Sequence, residues 1–81
     1  MTDADYLNHV KKALAIEGNY LDNTLTEWIA TVKDFLLDSG VLPKYIDAGI
    51  VAQGVSDLYA SNAGQFSRAF TMRATQLAYK R

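Results

Sequence analysis

The stretch from Leu21 to Gly40 reads LDNTLTEWIATVKDFLLDSG, and its pattern decides the fold. Leu21, Leu25, Trp28, Ile29, Val32, Phe35 and Leu36 recur at helical spacing. At about 100° per residue they fall within an arc of roughly 120°, the width of a core-facing stripe. Glu27, Asp34 and Asp38 gather on the opposite side. The helix should begin near Asp22 or Asn23 and close at Gly40, which tolerates the left-handed conformation, with Val41 folding back onto the last turn. On this reading it is the central helix, and the other segments cover its stripe.

Upstream, a first helix is expected from Asp3 or Ala4 to Ile16, capped by Thr2 or Asp3. Tyr6, Leu7, Val10, Ala13 and Leu14 share one face, with Lys11 and Lys12 outside it. Glu17-Gly18-Asn19 supplies the stop and turn. Downstream, Pro43 suits the first turn of a short helical piece through Ile46, because it cannot continue a helix from behind. Asp47 then caps a third helix through Ala63, with Ile50, Val51, Val55, Leu58 and Tyr59 apolar and an Asn62-Ala63-Gly64 stop. Gly54 inside that helix costs about 1 kcal/mol relative to Ala, which a close helix–helix approach would explain. A last helix runs from Gln65 or Ser67 to Lys80. Phe66, Phe70, Ala74 and Leu77 line one side, while Met72 and Tyr79 lie on another that no internal segment claims. The pattern leaves open whether this amphipathic C-terminal helix docks on its own core or extends to a neighbour. No stretch alternates as a half-buried strand does. The expected architecture is all-α, a compact bundle of about four helices in one domain spanning 1–81.

Composition narrows the class. Apolar residues make up 49% of the chain and the formal net charge is −1, which argues against disorder. A domain of 81 residues buries little area and commonly leans on disulfides, a metal or a partner. The chain has no Cys, so partner subunits are the expected support. MTDADYLNHV lacks the basic-then-apolar order of a signal peptide, and no apolar run approaches a membrane span. The expectation is a soluble intracellular product with no membrane contact.

Residue types that carry chemistry are present but do not fall into a reactive pattern. His9 stands at the edge of the first helix's apolar face and reads as a partly buried structural histidine, because no second His or Cys completes a metal site. Ser39, Ser56, Ser61 and Ser67 lack the base and orienting group that nucleophilic catalysis needs. Glu27, Asp34 and Asp38 read as a solvated helix face rather than an acid/base pair. Gly49 and Gly54 lack the spacing of a phosphate loop. The expectation is no enzyme, no cofactor and no metal.

Charge is unevenly placed. Through Asp57 the chain carries nine acids against Lys11, Lys12, Lys33 and Lys44, a balance of −5; beyond it stand only Arg68, Arg73, Lys80 and Arg81, a balance of +4. Three readings of the basic end stay open. It is a nucleic-acid surface with Phe66, Phe70 and Tyr79, a complement to its own helix dipole, or a patch that meets the acidic side of a neighbouring copy.

The order LNHVKKALAI, EGNYLDNTL, DFLLDSGV, IDAGIVAQGVSDLYASNAG and FSRAFTMRATQLA resembles the head–tail connector (adaptor) family of tailed phages. The likeness covers nearly the whole chain and departs from the family pattern at Gly64-Gln65-Phe66. It implies a structural virion protein at the head–tail interface, assembled in the host cytoplasm. Such a protein forms a homo-oligomeric ring on the portal and extends the DNA channel, which DNA passes without sequence-specific binding. It also receives a stopper or tail-completion protein. A ring needs two different patches on each subunit. Glu27, Asp34, Leu37 and Asp38 offer one; Arg68, Met72, Arg73, Tyr79, Lys80 and Arg81 offer the other, as subunit or portal contacts. The rival reading is a small DNA-binding regulator whose third and fourth helices form a helix-turn-helix around Ser61 to Ser67.

Overall fold

A computed structural model describes residues 3–61 and 66–80. Four helices follow one another: α1 (Asp3–Ala13), α2 (Asp22–Asp38), α3 (Ala48–Ser61) and α4 (Arg68–Ala78), with a 3₁₀ turn at Pro43–Tyr45 before α3. The protein is an all-helical bundle around a single core, and among the described residues no polar side chain is buried.

Helix α2 ends as its sequence dictates. Gly40 takes φ +94°, its N–H donates to the Leu37 carbonyl, and the Val41 N–H reaches back to Leu36. These two bonds satisfy carbonyls that the helix end would otherwise orphan, and buried Val41 closes the turn. At the start of α3 the Asp47 carboxylate accepts from the Ile50 N–H at 3.0 Å, a side-chain cap. Pro43 opens the 3₁₀ turn, where a missing N–H does no harm. The expected Asn62-Ala63-Gly64 stop of α3 lies outside the described residues.

Helix α1 corrects the expected boundary. It stops at Ala13, and Ala15 takes the left-handed conformation (φ +56°) that the Gly18 region was expected to supply. The Ile16 N–H bonds to Lys11 O and the Ala15 N–H to Lys12 O, the same closure that ends α2 but built on an L-residue. Burial of Ile16 beyond the turn holds it there. Gly18 also has positive φ, one turn later, in the link to α2.

The central position also needs correcting. Leu25, Ile29, Val32 and Leu36 of α2 are buried within an arc of roughly 60° at helical geometry, so α2 is a one-sided outer helix. Seven buried positions of α3, from Ala48 to Leu58, span roughly 200° of its circumference, and α3 packs against α1, α2 and α4. Trp28 stands at the edge of the α2 stripe, half-buried, with its ring edge-on to Tyr59 at 6.3 Å. Ala13, assigned to the covered face of α1, and His9, expected to be partly buried at its edge, are both exposed.

Helix α4 docks on its own chain and runs antiparallel to α3. At its start Ser67 donates to the Asp57 carboxylate at 2.7 Å and accepts from the Phe70 N–H at 3.1 Å. One turn on, fully buried Phe70 fills the space that Gly54 leaves open. Phe35 of α2 stacks against Phe66 and Phe70, with centroids 4.6 and 5.9 Å away, and Ala74 completes the buried row. The expected stripe of Phe66, Phe70, Ala74 and Leu77 is the docked face.

Candidate assembly surfaces

Docking one face of α4 leaves the other in water. Arg68, Met72, Thr75 and Tyr79 are all exposed and sit at spacings of four, three and four. At helical geometry they occupy an arc of roughly 60°, the narrow seam that a partner helix covers in a coiled coil. Met72 keeps 55% of its surface exposed and Tyr79 81%, high for side chains of this size. The sequence singled out Arg68, Met72 and Tyr79; it gave no reason to add Thr71, Thr75 and Gln76.

The threonines change the chemistry of that face. The Thr71 hydroxyl donates to Ser67 O and the Thr75 hydroxyl to Thr71 O, both at 3.0 Å. Their polar atoms are committed to the helix backbone. With Arg68, Met72 and Gln76 they line an open, mainly apolar hollow of about 390 Å³.

The other basic residues do not join this seam. Arg73 Nη1 donates to Gln53 Oε1 at 3.0 Å, which ties α4 to α3. Lys80 Nζ lies 5.4 Å from the Tyr45 ring centroid, and Lys44 approaches the same ring at 5.2 Å. Arg73 and Lys80, though exposed, thus have contacts within their own chain, and the expected six-residue patch divides accordingly. Arg68, Met72 and Tyr79 face outward together, Arg73 and Lys80 turn to their own chain, and Arg81 lies outside the described residues.

The acidic side holds together. Glu27, Asp34, Leu37 and Asp38 are exposed on the side of α2 that points away from α3, with Ala30 and Thr31 between them. Leu37 is 47% exposed. Among the described residues no ion pair is seen to any of these three carboxylates; the Lys11–Asp22 pair, at 2.9 Å, belongs to the α1–α2 contact.

Chemistry elsewhere is sparse. Among the described residues no group of His, Cys, Asp or Glu gathers to hold a metal ion. Ser67 and Asp57 are close, but the pair caps a helix, with the hydroxyl already accepting from Phe70 N–H. A second hollow of about 450 Å³ lies where α1 ends, and its Lys11 is committed to Asp22. No helix among the described residues is long and apolar enough to cross a membrane. No family model, curated protein or solved structure matches the chain.

Proposed function

We propose that this chain is a structural assembly protein: a head–tail adaptor that forms a ring on the portal of a tailed-phage capsid, extends the DNA channel and offers a platform to a stopper or tail-completion protein. The observation that carries the reading is the outer seam of α4. A small helical domain keeps Met72 and Tyr79 in water beside a cation, while α2 presents an acidic face that no cation among the described residues pairs with. Aromatic residues, Met and Arg are the types that partner-contacting surfaces favour. Unlike patches on one subunit are what a head-to-tail contact requires. The resemblance in helix order supplies the particular setting, and the proposed role is non-enzymatic.

Co-sedimentation with the portal protein encoded in the same genome tests the proposal. The chain is expected to travel with the portal oligomer and to stay with it as salt rises moderately. A chain that ignores portal but binds duplex DNA, with affinity falling steeply as salt rises, would replace the adaptor by the helix-turn-helix regulator.

A further inference from the structure

We infer that the outer seam of α4 docks on the acidic face of α2 of a second copy of this chain, so that the subunit contact is head-to-tail. The inference rests on reading the chain as an assembly protein and names the two surfaces that would meet.

Two properties of the seam and one of α2 point to this occupant. First, its charge is of one sign: α4 contains no acid, and Arg68 is the cation left on the seam once Arg73 and Lys80 are turned to Gln53 and Tyr45. Second, it is apolar in a narrow strip, because Thr71 and Thr75 have their hydroxyls bonded to the backbone. An apolar group of the partner, such as Leu37, can bury against this strip without stranding a polar atom, while the partner's carboxylates lie toward Arg68. Third, the face of α2 has the matching composition. Asp34 and Asp38 are within one turn of each other, and exposed Leu37 beside them is an apolar counterpart for Met72 or Tyr79.

The two surfaces lie on different helices and share no residue, so each copy presents both. The contact is heterologous and leaves a free face at either end of a growing assembly, which closes when the rotation between copies allows. A parallel pairing of α4 with α4 would bring the two Arg68 side chains together, and a parallel or antiparallel one would leave Glu27, Asp34 and Asp38 of α2 unmatched across the contact. Charge sets register and partner choice here, and burial of Met72 and Tyr79 supplies the affinity.

The absence of cysteine makes the test direct. Two single-cysteine proteins, Gln76→Cys at the edge of the seam and Ala30→Cys on the acidic side of α2, are mixed under mild oxidation, one carrying a mass tag. The mixed disulfide is expected about tenfold faster than either symmetric one, because docking raises the effective concentration of the two thiols. Adding Arg68→Glu to the first protein should slow it about tenfold, and adding Asp34→Arg to the second should restore it. All four positions are exposed, and helical circular dichroism checks that each variant is folded. Mixed and symmetric disulfides forming at equal rates, or indifference to the charge reversal, would overturn the inference. Portal does not enter this assay. Portal binding with no preferred mixed disulfide removes the inference alone; a preferred mixed disulfide with no portal binding keeps it and removes the adaptor setting.

Discussion

Gly54 lies directly against Phe70: a β-carbon at position 54 would stand 2.9 Å from Phe70 Cζ and 2.8 Å from Val32 Cγ1. Real β-carbon contacts are longer, so the missing side chain lets α4 and α2 close on α3. Gly54→Ala should gain about 1 kcal/mol of helix propensity and lose about 2–3 kcal/mol to overpacking against two buried side chains. The expected net loss is about 1–2 kcal/mol, read as a lower urea midpoint at unchanged slope. A more stable variant would show that the helices do not need this approach.

The Tyr6 hydroxyl donates to the Ile46 carbonyl at 3.1 Å, buried, and joins α1 to the entry of α3. Tyr6→Phe keeps the ring under Lys33, which lies 4.4 Å from its centroid, but strands the carbonyl. An unsatisfied buried acceptor costs about 1–3 kcal/mol, and chemical denaturation should show a loss in that range. An unaffected variant would mean that water reaches Ile46.

Ala15 is the one non-glycine residue with positive φ among the described residues. The left-handed conformation costs an L-residue about 1–2 kcal/mol, while glycine adds about 0.4–1 kcal/mol of chain entropy to the unfolded state. Ala15→Gly should therefore stabilise by about 0.5–1 kcal/mol and raise Tm by a few degrees. A fall in Tm would mean that α1 continues past Ala13 in solution.

These positions also mark what could be read in the sequence. Asp47 as a cap, Pro43 as a turn opener and Gly40 with Val41 as a closure are local effects, in which one residue's chemistry decides its own neighbourhood. Gly54 was legible as a close approach, because a glycine in a helix interior needs a reason. Ala15 was not: its conformation is imposed by burial of Ile16, a tertiary demand that overrides local preference. Nor was the rank of the helices. A clean stripe such as that of α2 shows that one side is covered, whereas a helix covered on several sides, like α3, has a blurred pattern and a weaker amphipathic signal. The candidate surfaces were half legible for a similar reason. Spacing put Met72 and Tyr79 on one side, but the side chains that Arg73 and Lys80 reach come from elements distant in sequence.

Met72→Asp separates folding from assembly. Its side chain is 55% exposed and lies on no buried cluster, so stability should stay within about 0.5 kcal/mol of the parent. Association should be lost, because the substitution places an acid opposite the acids of α2. Thermal melts and sedimentation velocity on one preparation read both. A variant that loses stability together with association would assign Met72 to the core.

The central claim is that other chains complete this domain at the capsid vertex. Native mass spectrometry of the portal oligomer titrated with the chain tests it most directly. The account predicts one dominant complex carrying a full, fixed complement of chains per portal, filled cooperatively because each bound copy offers α2 to the next copy's α4. A bare portal at every ratio, or a random spread of occupancies, would contradict it.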